Sequence, residues 1–198
     1  MLKKSLILLV LISLFSGGYI FAQEDSFPRH SISIDAMSTA ISLFYSGFLT
    51  GMYEEDDLLL FTALQYEFQI FNRLSIAARV DYKLYRDINT DYSSISGEGH
   101  IKVYPRSGYF FLGGMFGYSA FFRPDRPVSN YINFGGRVGW RIDFSSPGGY
   151  FIEPSIGYYI PFGIPDNNYR SGSYLTEVMI RTFYVGGPKV SFGMGYRF

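Results

Sequence analysis

Apolar and polar side chains alternate at every second position over long stretches of this chain. In the stretch 74–84 one face is apolar, whereas the other carries Ser75, Arg79, Asp81 and Lys83. Because successive side chains of a strand point to opposite faces, the pattern predicts β-strands. We expect eight of them, near 31–44, 58–70, 74–86, 93–104, 109–122, 130–144, 149–162 and 183–198.

The connections between these stretches differ in length. Those near 71–73, 105–108 and 145–148 are short, and they alternate with longer segments near 45–57, 87–92, 123–129 and 163–182. Ten-residue alternations joined in this way are typical of transmembrane β-barrels, with short turns in the periplasm and longer loops outside. The predicted fold is therefore all-β, an antiparallel up-and-down transmembrane barrel of eight strands. Ten strands is the alternative, if 45–53 and 174–184 are strands as well.

The first 22 residues have the pattern of a secretory signal peptide. Lys3 and Lys4 precede an apolar stretch at 6–15, and the small residue Ala22 precedes Gln23. The apolar stretch is shorter than the ~20 residues of a membrane-spanning helix. We expect cleavage after Ala22, with 1–22 as the signal peptide and 23–198 as a single outer-membrane barrel domain.

Composition excludes several classes of site. The chain has no cysteine, which excludes disulfides and thiolate metal sites. Without Lys3 and Lys4, 15 of the 17 basic residues remain against 17 acidic ones, a net charge of about −2. A chain with this charge lacks the excess of basic residues that is typical of nucleic-acid-binding proteins. The acidic run at 54–57 lacks the spaced ligands and turn glycine of a calcium loop, so we expect no cofactor and no metal.

The last nine residues alternate without interruption and end on Phe198. This ending resembles the closing strand of bacterial outer-membrane barrels. Together with the hairpin at 64–76 and the strand at 134–140, it is similar to the eight-stranded outer membrane protein A-like barrels. The resemblance implies a bacterial outer-membrane location, contact with outer-membrane lipids, and recognition by periplasmic chaperones and the barrel-assembly machinery. It also implies a membrane-insertion signal made by Phe192, Met194, Tyr196 and Phe198, and it brings no catalytic set.

Two classes of barrel fit the alternation, and they differ in whether the apolar face points into the barrel or outward to lipid. A soluble lipocalin-like ligand carrier holds its apolar face inside, whereas a membrane barrel turns that face to lipid. Aromatic residues near the strand ends favour the membrane barrel, because such residues form girdles at the two interfaces. The predicted girdle residues are Phe68, Tyr104, Tyr109, Phe121, Phe122, Tyr131, Phe144, Tyr150 and Phe162.

If lipid surrounds the barrel, the polar face lines the lumen. An eight-stranded barrel is just wide enough for its side chains to fill, and charges in such an interior are tolerated when they are paired. We predict a closed, salt-bridged lumen with a structural role, and a narrow pore is the alternative. The lumenal charges are Glu67, Arg79, Asp81, Lys83, Glu98, Lys102, Arg137, Arg141, Asp143, Glu153, Lys189 and Arg197.

One polar stripe on the fourth strand contains residue types that could form a catalytic site. Ser94, Ser96, Glu98 and His100 share one face, and a lipid-modifying acyl-hydrolase or acyltransferase would use a serine or histidine with a carboxylate. Neighbours on one face stand about 6.6–6.8 Å apart along a strand, which makes a direct bond between them awkward. We therefore predict a polar lumenal stripe, no catalytic residues and no enzyme activity.

Overall fold

The computed structural model describes residues 29–53, 58–71, 73–86, 91–105, 109–124, 126–144, 148–163 and 186–198. These residues form nine strands and one helix. In chain order they are β1 (His30–Asp35), α1 (Ala36–Tyr53), β2 (Leu58–Phe71), β3 (Leu74–Arg86), β4 (Asp91–Val103), β5 (Phe110–Arg123), β6 (Arg126–Trp140), β7 (Ile142–Asp143), β8 (Gly149–Gly163) and β9 (Gly187–Arg197).

The strands close into an antiparallel barrel. Apart from β6 and β7, each strand pairs with the next along the chain, and β9 pairs with both β8 and β1, with Arg197 opposite Ser31. The two-residue β7 lies directly beyond β6, and both pair with β8, so they form one wall strand. The barrel therefore has eight strands, as predicted. We call the end with the connections around 72, 106–108 and 145–147 the turn end, and the opposite end the loop end.

Burial alternates along the strands as expected for a membrane barrel, with polar side chains inside and apolar side chains outside. On β4 the side chains from Ser94 to Lys102 are buried at every second position, and those between them are exposed. The buried set is polar or charged, whereas outward residues such as Ile101 and Phe116 are 57% and 55% exposed. A soluble carrier needs the opposite arrangement, so the lipocalin-like alternative is wrong.

The first strand is much shorter than predicted. The expected strand 31–44 ends at Asp35, and the predicted loop 45–57 is helical up to Tyr53. The Asp35 carboxylate accepts a hydrogen bond from the Ser38 N–H at 3.3 Å, the arrangement of a helix N-cap. Because 45–53 belongs to this helix, the ten-strand alternative is wrong. The alternating stretch 174–184 lies outside the described residues.

Hydroxyl side chains join α1 to the edge of β2 that β1 leaves unpaired. Ser42 Oγ donates to the Phe61 carbonyl at 3.3 Å. Ser46 Oγ donates to the Leu59 carbonyl at 2.6 Å and accepts from the Leu59 N–H at 2.8 Å. The helix thus satisfies backbone groups that a strand would otherwise pair, which matters because an open sheet edge is not tolerated in lipid.

Two predicted loops are shorter in the structure. β4 begins at Asp91, and β5 and β6 are joined through Pro124 and Asp125, with Arg123 opposite Arg126. The predicted loops 87–92 and 123–129 are therefore partly strand, because the pairing continues beyond the last clear alternation. No described helix is long and apolar enough to span a membrane.

Three of the predicted girdle aromatics face inward. Tyr104, Phe121 and Tyr131 are at most 6% exposed, since each shares the inward phase of its strand. Tyr109 and Phe144, in contrast, are 62% and 66% exposed at the turn end. The prediction was wrong for the first three because position near a strand end does not fix the face.

Candidate functional site

Five charged side chains meet inside the turn-end half of the barrel, and we call them the plug: Glu67, Lys102, Arg137, Arg141 and Glu153. Lys102 Nζ donates to Glu67 Oε2 and to Glu153 Oε1, each at 2.6 Å. Arg141 Nη2 donates to Glu67 Oε2 at 2.7 Å and to Glu153 Oε2 at 2.6 Å. Arg137 Nη2 lies 3.2 Å from Glu153 Oε1. All five side chains are buried, and every one of them contacts at least one opposite charge within the lumen.

Aromatic rings fill the space around the plug. Lys102 Nζ stands 4.8 Å from the centre of the Phe111 ring, and Arg141 stacks 4.6 Å from that of Phe151. Both rings are at most 1% exposed. Tyr104 donates its hydroxyl to Glu67 Oε1 at 3.1 Å. Cations over ring faces gain energy when desolvated, so these rings stabilise the buried charged groups of the plug.

Inward glycines give the plug its room. A Cβ on Gly113 would come within 3.1 Å of Arg137 Cγ, and one on Gly157 would come within 3.0 Å of Arg137 Cβ. Gly113 and Gly157 are the partners of Arg137 on the two neighbouring strands, so the base of this arginine has no side chain on either side of it. This explains why glycine occupies inward positions where the wall faces a large cation.

A second set of charges lies nearer the loop end. Arg79 donates to Asp81 Oδ1 at 2.8 Å and to Asp35 Oδ2 at 3.2 Å. Lys189 Nζ of β9 donates across the lumen to Glu98 Oε1 of β4 at 3.0 Å, and Glu98 lies opposite Arg79 in the β3–β4 pairing. Asp35 has a third role, since it also accepts the Phe192 N–H at 3.3 Å. This carboxylate therefore joins the start of α1, the lumen and the edge of β9.

A cavity of about 170 Å³ lies between this second set and the plug. Four charged residues that line it are Arg79, Asp81, Lys83 and Arg137. Its lining also includes Ser38 of α1, 61–63 of β2 and 188–191 of β9. The cavity is thus polar within the lumen and reaches the wall where α1 replaces β1.

The stripe on β4 differs from its predicted geometry at one point. His100 Nε2 lies 3.1 Å from Glu98 Oε2, so the expectation that this bond would be awkward was wrong. The side chains are long enough to bridge the distance between alternate residues. Ser96 instead accepts a hydrogen bond from Ser119 at 2.8 Å, and the described contacts give His100 no serine partner. That the four residues are not catalytic stays a prediction.

The remaining predicted residues are spread along the barrel. Arg197 Nη1 lies 3.5 Å from Asp143 Oδ2 at the turn end, and Lys83 lines the cavity. Phe192, Met194 and Tyr196 share the outward phase of β9, and Phe198 pairs with His30 through two backbone hydrogen bonds of 2.9 and 3.2 Å. Among the described residues no group of three acidic or histidine side chains is placed to hold a metal ion.

Sequence reasoning missed the aromatic residues of the lumen, and it missed Asp35. Phe111, Phe151 and Tyr159 are at most 3% exposed. Their inward phase is readable from the polar neighbours two positions away, such as Glu153 beside Phe151. The role of Asp35 as a helix cap was not predicted, because the predicted strand continued to residue 44. The serines at every fourth position, Ser38, Ser42 and Ser46, are nevertheless typical of one face of a helix.

The chain is similar to the outer membrane protein Ail of Yersinia pestis, whose backbone structure was determined in a phospholipid bilayer nanodisc. The two are 14% identical with a TM-score of 0.47, over 86% of this chain and 99% of that one. No family model and no curated protein matches the sequence.

Proposed function

We propose that this protein is an integral outer-membrane β-barrel with a structural or surface-interaction role and a closed lumen. One observation carries the proposal: the barrel is inverted, with charged residues inside and large apolar residues outside. Arg141 and Lys102 are at most 1% exposed, whereas Ile101, Ile156 and Val80 are all more than half exposed. In water this surface would be an aggregation hazard, whereas in lipid it is the favourable face.

The same reasoning extends to targeting. A cleaved signal peptide at 1–22 would export the chain, and the outward face of β9 would present Phe192, Met194, Tyr196 and Phe198 to the barrel-assembly machinery. Periplasmic chaperones would carry the unfolded chain between the two. These partners rest on the resemblance of the last strand to closing strands of outer-membrane barrels.

Membrane association is tested by fractionation. We expect the mature chain in the outer-membrane fraction, resistant to extraction by urea, with gel migration that changes on heating. Both follow because a closed barrel satisfies its backbone hydrogen bonds internally and resists unfolding in lipid. Recovery as a soluble periplasmic monomer would refute the proposal.

The closed lumen is a separate claim. Three cations and two carboxylates fill the turn-end half with direct contacts of 2.6 to 3.2 Å. We expect no steady single-channel current from purified protein in planar bilayers. Large, steady currents would show that the interior is hydrated and would favour the narrow-pore alternative.

A surface-interaction role would fall to the loop end, because loops on a rigid scaffold commonly carry recognition. With the predicted loops at 87–92 and 123–129 partly converted to strand, the longest connection is the segment 164–185. That segment lies outside the described residues, and its partner stays unnamed. Binding of an extracellular ligand that is lost when 166–180 is replaced by a short Gly-Ser linker, in a variant that still folds, would support this role.

A further inference from the structure

The wall between β2 and β9 is completed by a strand in one half and by a helix in the other. β1 pairs with β2 up to Ile34 and with β9 up to Asp35. Nearer the loop end, α1 takes the place of a described strand between 58–63 of β2 and 188–192 of β9, and it contacts both. The two strand edges of this stretch therefore face a helix instead of a third strand.

Hydroxyl groups of α1 bond to the β2 edge. Ser42 donates to the Phe61 carbonyl, and Ser46 exchanges two hydrogen bonds with the backbone of Leu59. A longer β1 would pair with the same backbone groups, because they point to the side of β2 on which β1 lies. On this edge the helix and a strand are alternative partners.

The β9 edge lacks an equivalent set of bonds among the described contacts. Phe198 exchanges two backbone hydrogen bonds with His30, so every second residue back along β9 points its N–H and C=O to the side of β1 and α1. Phe192 and Val190 belong to this series. The Asp35 carboxylate accepts the Phe192 N–H at 3.3 Å, whereas no described hydrogen bond joins a side chain of α1 to Val190. A strand edge without partners is unfavourable in lipid.

The start of α1 matches both edges in length and register. Continued without a shift, the β1–β9 register places Ser38 opposite Val190, and the β1–β2 register places Ala40 opposite Leu58. Leu58 is the first residue of β2. Residues 36–40 in an extended conformation would therefore cover both edges, while the existing pairs of β1 stay as they are.

The same extension would fill the lumenal cavity. Alternate side chains of β1 up to Asp35 are buried, so an extended chain would also direct Met37 into the lumen. Its neighbours would be Phe61 on β2 and Ser191 on β9, and both line the cavity of about 170 Å³. The cavity thus lies where the side chain of Met37 would enter.

The composition of α1 favours a helix only weakly. Seven of its 18 residues are serine, threonine or glycine, whose helix propensity is lower than that of alanine or leucine. Its first turn contains no acidic residue and its last turn no basic one, so side-chain charges do not stabilise the helix dipole. The contacts with β2 and the Asp35 cap therefore contribute much of what keeps 36–40 helical.

We propose that 36–40 is a two-state segment of the wall, which changes between the start of α1 and an extension of β1. In the helical state the lumenal cavity is empty of Met37, whereas in the extended state Met37 occupies it and the strand pairs with both edges. Contact with lipid favours the extended state, because ladder hydrogen bonds then satisfy both edges. This inference rests on the proposed function, since it requires a barrel wall that stands in lipid.

Introduced cysteine pairs distinguish the two states, because the chain has no cysteine of its own. Thr39→Cys/Thr62→Cys, the helix pair, joins positions whose hydroxyls lie 3.3 Å apart in the helical state. Ala40→Cys/Leu58→Cys, the strand pair, joins positions that would be directly opposite in the extended state. In the helical state the neighbour of Leu58 along β2 bonds to Ser46, which lies about 9 Å along the helix from Ala40. That separation is too large for a disulfide.

Disulfide formation is measured in the folded barrel, in dioleoyl phosphatidylcholine vesicles and in non-ionic detergent. Mass spectrometry of tryptic peptides after thiol alkylation gives the linked fraction. In vesicles we expect the strand pair to link about tenfold more than an Ala40→Cys/Val103→Cys control, whose second position lies at the turn end of β4. The strand pair should link about threefold more in vesicles than in detergent, and the helix pair should change in the opposite direction.

Two further substitutions favour the helical state without changing any charge. Ala36→Pro suits the first position of a helix, whereas in a strand it would remove the hydrogen bond from residue 36 to Phe192. Ala63→Leu enlarges a side chain that lines the cavity and so excludes Met37. Each should lower linkage of the strand pair about fivefold and leave linkage of the helix pair intact. Heat-modifiable migration identifies the folded variants, and either substitution alone suffices if the other prevents folding.

Three results would overturn the inference. Linkage of the strand pair at the level of the control, in vesicles and in detergent, would show that 36–40 stays helical. Equal linkage of the strand pair in both media would contradict the effect of lipid. Unchanged linkage in folded Ala36→Pro would show that the helix frays without forming a strand. If the parent itself were a soluble monomer without heat-modifiable migration, the proposed function would fail instead, and the two failures are thereby distinguished.

Discussion

Removing the charge of Glu153 should destabilise the barrel more than removing any exposed carboxylate. Its two oxygens receive four hydrogen bonds from three cations, at 2.6 and 3.2 Å on Oε1 and at 2.6 and 3.1 Å on Oε2. Glu153→Gln leaves Lys102, Arg137 and Arg141 with Glu67 as the plug's one carboxylate. Breaking a buried charge set by removing one member costs about 3–5 kcal/mol, because the remaining charges are stranded.

A matched variant removes the same charge from an exposed ion pair. Asp91 accepts from Arg86 Nε at 3.1 Å and from Nη2 at 2.9 Å, but the two side chains are 40% and 55% exposed. Exposed pairs contribute about 0–1 kcal/mol, so Asp91→Asn should unfold within about 1 kcal/mol of the parent. Glu153→Gln/Arg137→Gln should recover part of the Glu153→Gln loss, since one stranded cation is gone.

Equilibrium urea unfolding in lipid vesicles measures these differences. The emission of Trp140, the only tryptophan, reports the outer face, where this side chain is 49% exposed. Heat-modifiable migration gives an independent readout of the folded fraction. A Glu153→Gln barrel that unfolds within about 1 kcal/mol of the parent would refute the reasoning, because the plug charges would then be hydrated individually.

The other predictions concern Asp35, the last strand and the β4 stripe. Asp35→Ala removes the cap of α1 and the acceptor of the Phe192 N–H, so urea unfolding should show a loss of about 1–3 kcal/mol. Asp35→Asn keeps both roles and should lose less, and equal losses would contradict the capping argument. Phe198→Ala should lower the amount of folded barrel in the outer membrane while the purified variant still refolds in detergent; unchanged assembly would argue against an insertion signal. Expression of the parent should leave the acyl pattern of lipid A and phospholipids unchanged, and a change that disappears in folded His100→Ala would establish a lipid-modifying enzyme.

The period-two pattern by itself determined the number of wall strands and their two faces, although it did not reveal that 36–44 is helical. The alternation in 74–84 places Arg79 and Asp81 on one side and Val80 on the other, and the structure has the same division. This succeeds because strand geometry fixes the face of each side chain from its position alone. The faces of Tyr104, Phe121 and Tyr131 were predicted wrongly because they were inferred from closeness to a strand end instead of from the alternation.

Only the tertiary structure decided which charges meet and how the wall closes. Arg141 and Glu67 are 74 positions apart, and their contact of 2.7 Å depends on the register and tilt of every strand between them. The local sequence around either residue contains no information on that register. Likewise, only the tertiary structure shows that α1 bonds through Ser42 and Ser46 to the edge of β2 that β1 leaves unpaired. Alternation fixes which face a residue occupies, whereas barrel closure fixes its partners.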